Sequence, residues 1–334
     1  MKLRNKTFER LSQDDWSESE VLFSRKDSRT LKSLIPWLVN TMPELPEVET
    51  IVRQLKGKII GLKITDFWAD WPRSVRQAGG IAGARKELRD KKILSVKRRA
   101  KYIVINISGP KTIFIHQKIS GHLLYGKWRQ EKDKWVSQIK GPLSKDSANK
   151  YIRMVFSLSN GYQVVLSDSR RFGKIILVDD DKLSELREIT ELGPEPLEIS
   201  TQNFIKLFNK KSGRIKQVLM DPKFIAGIGN IYADEIFWDI GLHPLSRAEK
   251  LPKQILIKMH ASMQSILKKA ISFNGDSMDD FRTLTGEKGE FQNMHKAYQR
   301  TGDKCSRRDG GIIRRIKINS RSAHYCSKHQ KLIS

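Results

Sequence analysis

The chain has 334 residues, 38% of them hydrophobic, which is enough for two domains with separate cores and argues against a fibre or wholesale disorder. Its 63 Lys and Arg outnumber 37 Asp and Glu, a formal charge of +26 that points to a polyphosphate partner such as nucleic acid. Two cysteines, Cys305 and Cys326, exclude a disulfide scaffold and leave a single bridge, free thiols or metal ligation.

Residues 1–41 carry eight basic and six acidic side chains, so almost all of the excess charge belongs to residues 42–334. Their early stretch FERLSQDDWSESE lacks the basic start and apolar core of a secretory signal, and no run in the chain approaches the roughly 18 apolar residues of a membrane helix. The expected compartment is the cytoplasm, with no membrane partner. From Pro46, PEVETIVRQLKGKI has proline and acidic residues in a first turn and Val48, Ile51, Val52 and Leu55 at helical spacing. Short β-branched runs come next at 101–107, 112–119, 153–159, 162–168 and 174–180, separated by turn signals, and predict an antiparallel sandwich or barrel.

Beyond the Pro-rich ELGPEPL (191–197) the pattern turns helical, with segments at 201–210, 213–221, 230–241 and 251–273. The stretch 296–334 is a small basic appendage around the two cysteines, with eleven basic and two acidic residues. The expected fold class is α+β multidomain. Its parts are an extension (1–42), an antiparallel β-sandwich domain (43–180), a linker (181–190), a helical domain (191–295) and a terminal hairpin (296–334).

Several strings occur in a fixed order: MPELPEVET (42–50), RRAKY (98–102), HQKISGHL (116–123), DSRRFG (168–173), LGPEPL (192–197), IAGIGNIYADE (225–235), GLHP (241–244) and the Cys-bearing hairpin. Together they resemble the formamidopyrimidine-DNA glycosylase family, base-excision enzymes for oxidised purines, from Met42 to about Lys331. The resemblance implies a helix-two-turn-helix domain, a zinc-finger-like hairpin and nucleoid-associated action as a monomer on duplex DNA carrying oxidised bases or abasic sites. It implies no catalytic metal and no organic cofactor.

The family's chemistry makes the start of MPELPEVET matter. Base removal followed by strand cleavage through an imine needs an amine, which an amide cannot replace. A terminal amine titrates near about 8 against about 10.4 for lysine, so Pro43 as a free N-terminus is the expected nucleophile. Joined to residues 1–41 its nitrogen is a tertiary amide, so the extension is expected to be a misassigned start or a removed segment. Glu44 is then the expected proton donor and shuttle, and Lys101 a catalytic contact to the neighbouring phosphate. A helix-capping role for Glu44 and a solvated strand-edge role for Lys101 are the bland readings.

Asn230 resembles the family's phosphate-binding asparagine and is placed to cap the following helix, with Lys216 as another phosphate contact. Arg170 and Phe172 occupy wedge positions that fill the gap left by a flipped base, Arg171 stands beside them, and Ile119 replaces the family's methionine. The stretch 274–291 resembles the loop that closes over the damaged base, and its composition equally suits a surface loop. In the hairpin Arg321 matches a phosphate-gripping arginine. Where the family has four cysteines this chain offers Cys305, Asp309, Cys326 and His329, a set able to hold zinc, or a hairpin that stands metal-free on strand pairing. The expected activity is excision of 8-oxoguanine or formamidopyrimidine with β,δ-elimination. Alternatives are an endonuclease VIII-like enzyme for oxidised pyrimidines and a non-catalytic damaged-DNA binder.

Overall fold

The computed structural model describes residues 42–72, 75, 78–132, 134–278 and 281–334. The extension read over 1–42 therefore lies, up to Thr41, outside the described residues. Helix α1 (Leu45–Ile59) forms as its spacing predicts, with Pro46 in the first turn and one face buried. Strand β1 (Ile64–Ala69), helix α2 (Gly80–Leu88) and strands β2 (Ile93–Arg99), β3 (Tyr102–Ile107), β4 (Lys111–His116) and β5 (Gly121–Gly126) follow. A small hairpin β6 (Trp128–Glu131) and β7 (Lys134–Ser137) precedes β8 (Ile152–Leu158), β9 (Gln163–Asp168) and β10 (Lys174–Asp179).

Two antiparallel four-stranded sheets result, in the orders β1-β8-β9-β5 and β10-β4-β3-β2. Their inner faces, with Phe67, Met154, Phe156 and Leu166 on one side and Ile103, Ile113, Ile115 and Ile175 on the other, close one core. Val48, Ile51, Val52 and Leu55 of α1 enter that same core. The sandwich contains strands that alternation did not mark. All six residues of β5 are buried, because its outer face is covered by Trp128 and Leu143, so GHLLYG shows no polar face. The run expected as strand through Ile119 ends at His116, where Lys118 at φ 56° turns the chain.

The helical half comprises α3 (Arg187–Thr190), α4 (Thr201–Leu207), α5 (Ile215–Leu219), α6 (Asn230–Ile240) and α7 (Lys253–Ser272). Its core of Phe204, Leu219, Phe224, Tyr232, Ile236 and Met263 also takes Leu45 from the start of α1. One helix thus serves two cores. The stretch expected as a lid or surface loop is partly sheet filling: Phe281 and Leu284 lie in the sandwich core, and the Leu284 carbonyl accepts from the Tyr125 amide at 2.8 Å. The terminal hairpin pairs β11 (Ile313–Ile318) with β12 (Arg321–Cys326), in register from Ile313 opposite Cys326 to Ile318 opposite Arg321.

Candidate active site and nucleic-acid interface

Residues 43–47 sit at the junction of the two cores. The Leu45 amide donates to the Gly227 carbonyl at 3.0 Å, and its side chain packs where any Cβ on Gly227, at φ +90°, would press at 3.0 Å. This seats the PELP string on the IAGIGN loop. The Glu44 carboxylate lies across the N-terminus of α6, accepting from the Gly229 amide at 2.7 Å and the Ile231 amide at 3.0 Å. A Cβ on Gly229 would stand 2.4 Å from that carboxylate, so glycine is required there by lack of room. Burial raises the proton affinity of Glu44, against the opposing pull of Lys101 and the α6 amides.

Lys101 follows Ala100, a non-glycine residue at φ 53° in the tight β2–β3 turn. Glu195 of the LGPEPL string fastens that turn, accepting from the Ala100 amide at 2.6 Å and pairing with Arg98 at 2.5 Å and Arg99 at 3.0 Å. Burial lowers the proton affinity of Lys101, with Glu44 opposing and Arg321 reinforcing the shift. The structure therefore brings Pro43, Glu44 and Lys101 together, although 57 positions separate Glu44 from Lys101.

Asn230 does not cap α6, as the sequence suggested. Gly229 is the N-cap, in extended backbone, and Glu44 from another element accepts from the Gly229 amide and from the first-turn amide of Ile231. The Asn230 Oδ1 is buried with no hydrogen-bond partner among the described residues. Lys216, expected at a phosphate, is only 2% exposed and points inward. Its ammonium meets Asp234 at 2.5 Å and donates to the Ser322 carbonyl at 2.7 Å, while the other Asp234 oxygen accepts from the His324 amide and faces His324 Nδ1, each at 2.9 Å. Lys216 in this arrangement ties the hairpin to α5 and α6. Arg321 is exposed beside Met220 and lines a cleft with Gln217, Ile318 and Ser320.

Asp168 shapes the DSRRFG loop. Its carboxylate accepts from the Arg170 amide at 3.1 Å, the Gly173 amide at 2.6 Å and the Ser120 hydroxyl, which joins this loop to HQKISG. Phe172 at its tip is 52% exposed, as a wedge would need to be. Arg170 is half-buried and Arg171, at φ 57°, pairs with Asp70 at 3.1 Å. Ile119 lines a small pocket with Met42, Pro43, Glu47, Ile231 and Asp276.

In the hairpin, one donor atom from each of Cys305, Asp309, Cys326 and His329 lies within 4.8 Å of the others. Cys305 Sγ is 3.5 Å from His329 Nδ1, and Cys326 Sγ is 3.5 Å from an Asp309 oxygen. Ligands at zinc distances around one tetrahedral centre stand roughly 3.3–3.8 Å apart; the two sulfur contacts match that spacing, whereas His329 Nδ1, 3.0 Å from Asp309, and the widest separation of 4.8 Å need small side-chain shifts about an ion. His329 Nε2 lies 2.8 Å from the Trp238 carbonyl. Donating there leaves the Nδ1 lone pair facing the cluster, as a second partner does for a ligating histidine. Gly311 is required, since its Cβ would fall 2.3 Å from Cys326 Sγ.

Sequence reasoning left out Tyr232, Asp276 and His295 and placed Glu47 only among the acidic residues of the first helical turn. The structure gathers all four behind Glu44, and no local spacing links positions 47 and 276.

The model of the formamidopyrimidine-DNA glycosylase N-terminal domain matches residues 42–175, and that of the family's H2TH domain matches residues 192–282. Formamidopyrimidine-DNA glycosylase of Pelotomaculum thermopropionicum is 36% identical over 87% of this chain and 100% of its own length. That of Herpetosiphon aurantiacus is 32% identical over 85% of this chain and 98% of its own. The crystal structure of a Lactococcus lactis Fpg mutant with Fapy-dG-containing DNA superposes with a TM-score of 0.75 at 30% identity, covering 86% of this chain and 100% of that one. The same organism's Fpg with abasic-site DNA gives 0.75 at 30% identity, over 86% and 99%. With both domain models matched and full-length relatives above 30% identity, this chain belongs to the formamidopyrimidine-DNA glycosylase family of DNA-repair glycosylases.

Proposed function

We propose that the protein excises oxidised purines, 8-oxoguanine and formamidopyrimidine, from duplex DNA and cleaves the strand by β,δ-elimination. The observation that carries this reading is the placement of Glu44, a buried carboxylate with raised proton affinity, directly after Pro43 and within the field of Lys101. As a free secondary amine Pro43 attacks C1′ of the lesion nucleotide while Glu44 delivers a proton to the sugar ring oxygen. The base departs, an iminium links Pro43 to the opened sugar, and elimination expels the 3′ and then the 5′ phosphate before water releases the sugar remnant. Lys101, Asn230 and Arg321 contact phosphates, and Phe172, Arg170 and Ile119 fill the vacated stack. Solved relatives holding Fapy-dG and abasic-site DNA support this substrate class.

Borohydride trapping on an 8-oxoguanine duplex tests it, with the full chain and a chain begun at Met42 and trimmed to Pro43. A covalent adduct from the trimmed chain alone is expected. Adducts from both in equal yield would overturn Pro43 as nucleophile. The Met42–Pro43 peptide bond present here favours a second reading, a lesion binder without chemistry for as long as residues 1–41 stay attached. Tight binding without trapping, on abasic as well as oxidised sites, would favour it.

The quartet in the hairpin is proposed to hold zinc, which when bound neutralises the thiolates and cross-links the strands. Cys305, Asp309, Cys326 and His329 supply one donor each, with His329 oriented by Trp238. Metal analysis of protein purified without added zinc is expected to give close to one ion per chain. A value near zero with unchanged DNA affinity would leave the hairpin standing on strand pairing alone.

A further inference from the structure

Glu47 lies three residues beyond Glu44 in α1 and takes three hydrogen bonds. One oxygen accepts from the Tyr232 hydroxyl at 2.6 Å and the Asp276 amide at 2.8 Å, and the other accepts from the Glu44 amide at 2.8 Å. All are donors, so the ionised carboxylate, the stronger acceptor, holds them more tightly than the protonated acid does. The contact with the 274–276 turn is close: a Cβ on Gly275, at φ +79°, would sit 2.9 Å from the Glu47 oxygen. Movement of Asp276 is therefore transmitted to Glu47.

Asp276 is itself held from behind. His295 Nε2 approaches its carboxylate at 2.6 Å, off the direction of the ring N–H, so the contact is ionic more than a directed hydrogen bond. The other Asp276 oxygen accepts from the Met278 amide at 2.9 Å. Glu47, Asp276 and His295 are all buried, and Asp276 lines the pocket that contains Pro43.

We infer that Asp276 and His295 form a positioning pair for the proposed acid: His295 balances the charge of Asp276, the Asp276 main chain seats Glu47, and Glu47 seats the main chain of Glu44 beside Pro43. The inference rests on the roles proposed above for Glu44 and Pro43. It concerns residues that touch the acid's support and do not touch the reacting atoms.

The surrounding charges give the inference a sign. Burial, then Glu44, and with them Asp276, push Glu47 up to about 7, Tyr232 opposing, and Lys101 also faces it. Burial would lower His295, but Asp276, Glu235 and Glu47 outweigh it and raise it. As pH rises through the Glu47 value the carboxylate forms, accepts its three donors and orders Glu44, so cleavage should rise over the same range. Asp276→Asn removes an anion near Glu47 and keeps the amide donor, which moves this acid limb to lower pH. His295→Gln leaves Asp276 without its cation and moves the limb to higher pH.

Two measurements test this. Titration of isotope-labelled histidine by NMR in the full chain reports His295 whether or not the protein has activity. Its midpoint is expected to fall by about one unit or more in Asp276→Asn and to fall in Glu47→Gln. A His295 midpoint unmoved by either substitution would overturn the inference. The second is single-turnover cleavage of an abasic duplex from about pH 5.5 to about pH 8.5, using the form that traps, with opposite shifts of the acid limb expected for Asp276→Asn and His295→Gln. Uniform rate loss without a shift would mean a merely structural pair and would overturn the positioning role. A parent inert at every pH, with the histidine coupling intact, would refute the proposed function and leave the coupling standing. Should His295→Gln fail to fold, the isosteric Asp276→Asn carries both measurements.

Discussion

The role proposed for Glu44 makes two demands that pull against each other. A proton donor needs its proton at neutral pH, which burial favours, yet the two amides Glu44 accepts from at the start of α6 favour the anion. The balance depends on how closely Gly229 lets the carboxylate approach, which makes Gly229→Ala an informative change. A methyl group 2.4 Å from the carboxylate has to displace it or the loop. The expected result is a stability loss of about 1–3 kcal/mol by overpacking and a cleavage loss larger than the binding loss. Thermal melting together with single-turnover cleavage and binding on an abasic duplex checks this; equal loss of binding and cleavage would contradict a special hold on Glu44.

Among the secondary-structure elements, α6 is the hub. Its first turn takes Glu44, its Tyr232 reaches Glu47, its Asp234 takes Lys216 and His324, and its Glu235 accepts from the amides of Lys296, Ala297 and Tyr298. Sandwich, helical core and hairpin are thereby referenced to one eleven-residue helix. Lys216 is the test of that arrangement, because its charge is buried inside the protein. Lys216→Ala strands Asp234, and breaking one side of a buried pair costs about 3–5 kcal/mol, so a marked fall in melting temperature is expected. An unchanged melting temperature with weakened DNA binding would show that Lys216 serves a phosphate instead. The DSRRFG loop obeys the same logic in miniature: the buried Asp168 organises it, and Phe172 is thereby left in solvent.

At the scale of the whole chain, the charge of +26 makes the proposed binding of duplex DNA an ion-exchange reaction. If it neutralises roughly six phosphates, log affinity should fall with log salt at a slope of about −5, and Arg321→Ala should reduce that slope by about one. Fluorescence anisotropy across a salt series measures both, and a flat response would remove the proposed phosphate contacts. Among the described residues no helix is long and apolar enough to cross a membrane.

Much of this organisation is legible along the chain, where the physics is local. The α1 helix follows from Pro46, its acidic first turn and apolar spacing, and the β-branched runs of β3, β8, β9 and β10 announce a sheet. Resemblance to the family, string by string, singles out Pro43, Glu44, Lys101, Asn230 and Arg321 as candidates. In the hairpin, the resemblance to the family's four cysteines singles out four possible ligands. Pairing across long separations is different in kind and is settled by packing in three dimensions. A carboxylate's proton affinity is set by what buries it, so the sequence is silent on Glu47 meeting Tyr232 and Asp276, on Lys216 turning inward to Asp234, and on Glu44 taking the amides that Asn230 seemed placed to organise. Strand β5 stayed hidden for the same reason: a strand covered on both faces has no polar alternation to read, and its coverage comes from residues elsewhere in the chain.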